Sequence, residues 1–302
     1  MSSAAGLLQG SCLCGDVTYQ SSQSHSEMWN CHCHSCRKAS SVAYATWIKT
    51  QPSSFSWLTV DSPISLHYSS STMLRSFCSR CSTVLPAYSE KELCIFLPAS
   101  GITTEHSLLP SADLFTDEMP GWYGMDNHQP CSISSTSPGE QSSDQDAVEC
   151  PGSDHEGSCL CGSISYRVAG EADAIRACHC SRCRQRSGGA WFSAMPVVFT
   201  EICLDGDEKN ISSFFLPDSQ YYGYSFCSIC GTVIPTAFPD GKRTVVAAGS
   251  LESTPPIGLK YHIYYESRAP WVNLNEAEVK FNAHPPADFD WEKGKCALDD
   301  TQ

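Results

Sequence analysis

The chain has 302 residues, of which 41% are hydrophobic and 19 are cysteine, and its formal net charge is −14. A chain of this length is too long for one small core and fits two domains of about 130–150 residues each. With 33 acidic against 19 basic residues and no dense run of lysine or arginine, the sequence argues against nucleic acid as a partner.

Targeting features are also missing from the sequence. There is no stretch of roughly eighteen or more apolar residues, and residues 1–10 lack the basic flank and apolar run of a secretory signal. We therefore expect no membrane partner and a cytoplasmic location, with the nucleus as the alternative. Because cytosolic thiols stay reduced, the cysteines predict metal binding and not a disulfide framework.

An internal repeat organises the cysteines. The repeated patterns are GSCLCG at residues 10–15 and 157–162, CHCxxCR at 31–37 and 178–184, and FCSxCxTVxP at 77–86 and 226–235. The offset is 147 residues for the first two patterns and 149 for the third, so two residues are inserted between them. The chain is therefore predicted to hold two copies of one domain.

The two copies are predicted to be separate domains. We assign residues 1–130 to the first copy, residues 131–153 to an acidic, serine-rich linker and residues 154–302 to the second copy. Short strands are predicted at residues 16–19, 43–48, 163–168 and 244–248. No segment keeps a 3.6-residue apolar stripe over three turns, so the predicted fold is mainly β, with short antiparallel sheets, few helices and metal clamps.

Two cysteine pairs in each copy have the spacing of a closed zinc site. A CxC pair and a distant CxxC pair supply four thiolates, which is the ligand set of a tetrahedral structural zinc. The predicted four-cysteine sets are Cys12, Cys14, Cys78 and Cys81 in the first copy and Cys159, Cys161, Cys227 and Cys230 in the second.

The remaining repeated cysteines form a three-cysteine cluster in each copy. These clusters are Cys31, Cys33 and Cys36, and Cys178, Cys180 and Cys183. Three ligands leave one position of a tetrahedral zinc open, which is typical of a catalytic site. The alternative is that each cluster recruits a histidine or carboxylate and is structural. His32 and His179 lie between ligands, so we expect them to support the site and not to bind the metal.

Five cysteines have no counterpart in the other copy. We expect them to be buried small hydrophobic residues or inert thiols, and we assign them no role. These cysteines are Cys94, Cys131, Cys150, Cys203 and Cys296.

With these motifs in view, each copy resembles the family of glutathione-dependent formaldehyde-activating enzymes, which includes centromere protein V. The motifs are GxCxCG followed by a tyrosine, CHCxxCR, and FCxxCGT, which is complete at residues 226–232. The resemblance implies two tandem β-tent domains, each with a structural zinc on the four-cysteine set and a catalytic zinc on the three-cysteine cluster. It also implies carbon–sulfur lyase chemistry on a glutathione adduct, with glutathione as a co-substrate.

The second copy matches the family better. The first copy has Ser82 in place of the motif glycine, and after Ile102 its sequence departs from the tail pattern, which the second copy keeps up to Trp271. We therefore predict that Cys178, Cys180 and Cys183 hold the catalytic metal. The first copy is then a structural partner, or else the two copies share a cleft.

Three further residues of the second copy are candidate substrate contacts. Arg184 follows the last cysteine of the cluster and either holds a substrate carboxylate or forms a surface salt bridge. Trp191, which matches Tyr44, is a wall of the pocket or a core aromatic residue. His262 is an acid/base group or a strand histidine bonded to the backbone.

Three functions fit these observations. The first is a zinc-dependent carbon–sulfur lyase acting on a thiol adduct of a small carbonyl compound, for which a pocket beside the open cluster would be evidence. The second is a zinc-stabilised module that binds a protein partner, for which a filled fourth position would be evidence. The third is a hydrolase, dehydratase or isomerase of specialised metabolism on the same fold.

Overall fold

The structure is a computed structural model. It describes residues 6–22, 27–124, 154–217, 219, 222–237, 243–252, 254–274, 276, 278–286, 289–290 and 295–296. The predicted linker, residues 131–153, lies outside the described residues, so the domain boundaries stay a prediction. No helix in the described part of the chain is long and apolar enough to cross a membrane.

The first copy is built mainly from strands. These strands are β1 (Leu7–Ser11), β2 (Thr18–Ser22), β3 (Glu27–Cys31), β4 (Ala45–Thr50), β5 (Phe55–Trp57), β6 (Ile64–Ser70), β7 (Met73–Cys78), β8 (Val84–Ser89), β9 (Cys94–Pro98) and β10 (Asp113–Leu114). The helix α1 (His34–Ser40) follows β3. The strands form a three-stranded sheet, β1-β2-β5, and a seven-stranded sheet in the order β10-β3-β4-β9-β8-β7-β6.

The second copy is also built mainly from strands. Its strands are β11 (His155–Ser158), β12 (Ile164–Glu171), β13 (Ile175–Cys178), β14 (Phe192–Gly206), β15 (Ile211–Phe215), β16 (Gly223–Cys227), β17 (Val233–Ile234), β18 (Thr236–Ala237), β19 (Arg243–Ala247), β20 (Leu259–Ile263), β21 (Val279–Lys280), β22 (Phe289–Asp290) and β23 (Lys295–Cys296). The helix α2 (Ser181–Ser187) follows β13.

The sheets of the second copy confirm the mainly β fold class. One sheet follows the path β11-β12-β14-β13-β20-β21, with β19 on β14 and β18 on β19, and a second sheet has the order β15-β16-β17. Strands such as β2 alternate buried and half-buried side chains, as expected for a sheet with one face on a core. Most pairs are antiparallel, but β10 joins β3, and β20 joins β13 and β21, in parallel.

The tail of the first copy keeps its backbone although its sequence diverges. Asp113 pairs with Asn30 in β3, just as His262, 149 residues later, pairs with Ala177 in β13. Phe115 has a φ of 57° and its counterpart Tyr264 a φ of 55°, and each residue starts a short 3₁₀ turn. The tail of the first copy therefore departs from that of the second in sequence, as expected, but keeps the same strand pairing and the same turn.

The same correspondence extends to two tryptophans. Trp122 and Trp271 each lie in a one-turn loop, closed by hydrogen bonds from Tyr123 N to Pro120 O and from Val272 N to Ala269 O, both 2.9 Å. Trp122 is buried among core residues of the second copy, while Trp271 stacks on His106 of the first. The tail tryptophan of each copy thus packs against the other copy.

Each helix likewise packs on a 3₁₀ turn of the opposite copy, α1 on Ala248–Ser250 and α2 on Ala99–Gly101. Lys38 on α1 donates to Ser158 Oγ at 2.6 Å, and Gln185 on α2, at the matching position, donates to Ser11 Oγ at 3.0 Å. These contacts relate the copies by an approximate two-fold axis. The largest core contains residues of both copies, so their packing is part of the fold.

Gly231 marks a tight point of this packing and allows a test. Its φ is +75°, and an added Cβ would lie 2.6 Å from Phe77 Cγ of the other copy. We expect Gly231→Ala to lower the free energy of unfolding by about 2–5 kcal/mol, since left-handed strain adds to overpacking. In Gly15→Ala, at φ +85° with no atom within 4 Å, only the strain of about 1–2 kcal/mol applies. Equal losses in chemical denaturation would contradict close packing at Gly231.

Candidate metal centres and cavity

Both predicted four-cysteine sets come together in the structure. The four Sγ atoms of each set lie within 4.8 Å of one another. The Sγ atoms of Cys14 and Cys78 are 3.7 Å apart, as are those of Cys161 and Cys227. A tetrahedral zinc with Zn–S bonds of about 2.3 Å places sulfurs about 3.8 Å apart, so both sets fit a zinc ion.

Local hydrogen bonds shape these sites. The backbone N–H of Val17 donates to Cys12 Sγ at 3.2 Å, and that of Ile164 donates to Cys159 Sγ at 3.3 Å. Ser82, which replaces the motif glycine, adopts a φ of 48°, and its hydroxyl donates to Gly231 O at 2.5 Å. The two four-cysteine sets are therefore joined through their CxxC turns.

The three-cysteine clusters lie where β3 and β13 lead into the two helices. The Sγ atoms of Cys178 and Cys180 are 3.6 Å apart, and Cys183 N donates to Cys180 Sγ at 3.4 Å. Hydrogen bonding from Cys178 and Cys183 lowers the pKa of Cys180 to about 3, which favours the thiolate that a metal requires. Among the described residues, no histidine or carboxylate joins either three-cysteine group.

In the first copy, the three-cysteine cluster is enclosed by large side chains. Arg75 Nη2 donates to Cys36 Sγ at 3.4 Å. The buried rings of Trp47 and Phe96 belong to the same core cluster as Cys31 and Cys36. Large side chains therefore pack beside this cluster.

In the second copy, a cavity of about 380 Å³ opens beside the three-cysteine cluster. Its lining residues are Arg176, Cys178, Cys180, Ser181, Arg182, Cys183, Arg186, Phe192, Ala194, Phe215, Ser219, Tyr222, Gly223, Tyr224, Val233, Thr236, Ala237, Val245, Ile263, Tyr264 and His284. Ala194 stands where the first copy has Trp47, and Val245 where it has Phe96. The smaller side chains account for the space.

The two histidines of the CHC motifs are buried and paired with the tail strands. His32 Nε2 lies 2.9 Å from Asp113 Oδ1, and His179 Nε2 lies 2.8 Å from His262 Nδ1. Burial lowers the pKa of His262 to about 4 and that of His179 to about 3, so both rings are neutral near neutral pH. His262 is not among the residues that line the cavity. Its contact with His179 therefore favours a role in which His262 supports His179 over one in which His262 contacts the substrate.

Arg184 and Trp191 also lie away from the cavity. Arg184 Nε donates to His179 O at 3.0 Å, within the motif itself, and Arg37 makes the same bond to His32 in the first copy. Trp191 is 2% exposed and packs edge-to-face on Tyr44 with ring centroids 5.1 Å apart. Of the two alternatives for Trp191, its place between the copies favours the core aromatic residue, and Arg184 makes its hydrogen bond within its own loop.

The cavity wall contains a buried arginine, Arg186, that no sequence motif indicates. Arg186 is 2% exposed, its Nη2 donates to Ser40 O at 2.6 Å, and its Nη1 has no hydrogen-bond partner in the described part of the chain. Its guanidinium lies over the rings of Phe192 and Tyr224. Aligning the two copies position by position would have indicated this arginine, because Arg186 matches Ala39, and the neighbouring Ala194 matches the much larger Trp47.

Of the cysteines outside the clusters, Cys94 is buried and free, as expected. Cys203 is disulfide-bonded, so the expectation of an unpaired thiol is wrong for this residue. A comparison of the two copies cannot show such a bond, because it joins positions that are not repeated.

Comparisons with known proteins bear on both copies. The sequence model of the family described as glutathione-dependent formaldehyde-activating enzyme matches residues 7–118 and 154–267. No curated protein matches the chain. Among solved structures, a crystal structure of a Rhodobacter sphaeroides protein is 19% identical, with a TM-score of 0.29, and the match covers 42% of this chain and 98% of that one.

Proposed function

Since the chain belongs to the glutathione-dependent formaldehyde-activating enzyme family, we propose that it is a zinc-dependent carbon–sulfur lyase. Its substrate is a glutathione or other thiol adduct of a small carbonyl compound, and its working site is in the second copy. The observation that carries this proposal is the cavity of about 380 Å³ beside Cys178, Cys180 and Cys183. Small-molecule sites have volumes of about 300–1,000 Å³.

The three cysteines of the second copy are the proposed metal ligands at this site. Cys178, Cys180 and Cys183 would hold the ion, and the cavity leaves one side of the cluster open to substrate. A bound zinc ion supplies a thiolate nucleophile near neutral pH and a Lewis acid for a carbonyl oxygen.

The cavity walls bind and orient the substrate. Arg176 and Arg186 present guanidinium groups, which bind carboxylates such as those of glutathione by paired hydrogen bonds. Phe192 and Tyr222 are apolar walls that keep water away from the reacting atoms. Together these residues would hold a carboxylate-bearing thiol adduct with its sulfur toward the cluster.

The first copy has a different role in this proposal. Its three-cysteine cluster holds zinc without admitting substrate, because Arg75 contacts Cys36 and the Trp47 and Phe96 rings fill the adjoining space. The first copy then supports the second through their shared core.

The experiment has two parts, a metal count and a rate. We expect four zinc ions per chain by elemental analysis, one for each cysteine group. Zinc-loaded protein should accelerate exchange between glutathione, formaldehyde and their S-hydroxymethyl adduct, measured by exchange NMR, and should leave the equilibrium unchanged. Full zinc loading with no acceleration for formaldehyde or any larger aldehyde would sink the lyase proposal and favour the protein-binding module.

A further inference from the structure

The two copies provide an internal comparison of what fits beside a three-cysteine cluster. Trp47 pairs with Pro98 in β9, and Ala194 pairs with Ala247 in β19 in the same register, so the two residues occupy equivalent places. Phe96 and Val245 are equivalent by the same pairing. The first copy thus places an indole and a phenyl ring where the second copy has a methyl and an isopropyl group.

The walls that remain in the second copy suit an aromatic ring. In the first copy, Trp29 packs edge-to-face on Phe96 with ring centroids 5.5 Å apart, and in the second copy Arg176 takes the place of Trp29. In the second copy, the rings of Phe192, Tyr222 and Tyr264 line the cavity. Aromatic pairs favour offset or edge-to-face contacts at such distances, so these rings offer partners to a planar ligand.

A cation lies in the wall of the same cavity. Arg186 is nine-tenths buried or more, and its Nη1 lacks a hydrogen-bond partner among the described residues. In the first copy, Arg75 instead donates a hydrogen bond to Cys36 Sγ. A buried guanidinium without a paired carboxylate is costly, so an anionic group of the ligand is the partner that it lacks.

Building on the proposed function, we propose that the carbonyl half of the substrate is an aromatic aldehyde. Its ring occupies the space that Trp47 and Phe96 fill in the first copy, and a carboxylate of the adduct pairs with Arg186. In the reaction, the thiol sulfur bonds to the aldehyde carbon, the carbonyl double bond becomes single, and the thiol proton ends on the oxygen. The reverse step releases the same two molecules, and neither direction needs an oxidant or a reductant.

The ring is tested on the zinc-loaded full chain. Glutathione is combined with benzaldehyde, propanal or formaldehyde, and the exchange rate of each adduct is measured by NMR. We expect kcat/KM for benzaldehyde to exceed that for propanal at least tenfold. Acceleration of formaldehyde exchange without that preference overturns the aromatic assignment and leaves the proposed function standing. If no aldehyde is accelerated, both fail.

A substitution locates the ring in the cavity. Ala194→Trp introduces the side chain of the first copy and should reduce kcat/KM for benzaldehyde at least tenfold, while the zinc content stays at four ions per chain. Val245→Phe adds a smaller ring at the second position and repeats the test if Ala194→Trp does not fold. Unchanged benzaldehyde kinetics in a folded variant would place the ring elsewhere and overturn the assignment.

The carboxylate has two sources, the ring or the thiol, and two pairs of probes distinguish them. 4-Formylbenzoate with 2-mercaptoethanol carries it on the ring, and benzaldehyde with glutathione carries it on the thiol. The pair with the higher kcat/KM, lowered at least tenfold by Arg186→Lys, identifies the source, since lysine keeps the charge but loses the planar fork. Benzaldehyde with 2-mercaptoethanol carries no carboxylate. If this pair has the same kcat/KM as the two carboxylate-bearing pairs, Arg186 does not take part in substrate binding.

Discussion

Replacing Cys227 with serine is expected to unfold or severely destabilise the chain. Cys227 is fully buried at the end of β16 and belongs to the four-cysteine set of the second copy. Zinc binding contributes about 10–16 kcal/mol in zinc-finger peptides, which matches or exceeds the whole unfolding free energy of a domain, about 5–15 kcal/mol. Losing even part of it should lower the melting temperature by more than about 10 °C in circular dichroism.

Cys94 provides the matched control for this substitution. It is equally buried but lies in none of the cysteine groups. Cys94→Ser should therefore cost only the burial of a hydroxyl, about 1–3 kcal/mol, with no loss of zinc. If both serine variants melt at the same temperature, the four-cysteine set is not a metal clamp, and the stability of the fold must come from its apolar core.

Replacing Cys180 with serine is expected to abolish activity and preserve the fold. Cys180 is half-buried and lines the cavity, so its loss removes one ligand of the open site and leaves both four-cysteine sets intact. A metal contributes several kcal/mol of charge stabilisation in the transition state, which corresponds to a loss of about 10³-fold or more in kcat/KM. Exchange NMR measures this loss, and the melting temperature reports on the fold.

Cys33 is the equivalent residue of the first copy and the control for Cys180. Cys33→Ser should retain the activity, because the surroundings of the first cluster admit no substrate in our proposal. A loss of activity in Cys33→Ser equal to that in Cys180→Ser would show that the first cluster takes part in turnover. The assignment of the working site to the second copy would then be wrong.

The sequence was sufficient to predict the repeat, the cysteine groups and the mainly β fold. Cysteine spacing identifies these groups because each ligand pair is held on a short local turn, whose geometry depends on few neighbours. The four sulfurs of Cys12, Cys14, Cys78 and Cys81 do meet, although 64 residues separate the two pairs.

The surroundings of the clusters could not be predicted in the same way. Whether Trp47 or Trp191 faces a cluster depends on strand register and on packing between the copies, which local patterns do not fix. The equivalence of the two tails was harder to predict from the sequence. Asp113 and His262 occupy equivalent places in their sheets, but their side chains are chemically unlike. Their equivalence lies in backbone pairing, which tolerates any side chain that fits.

The reciprocal packing of the copies has a consequence for how their sites can diverge. In two identical chains packed in this way, a tryptophan at the position of Trp47 would appear beside both clusters and close both at once. Within a single chain, the same substitution enters only one half. The architecture is that of a dimer whose protomers are free to specialise independently, with one cluster enclosed and the other left accessible to small molecules.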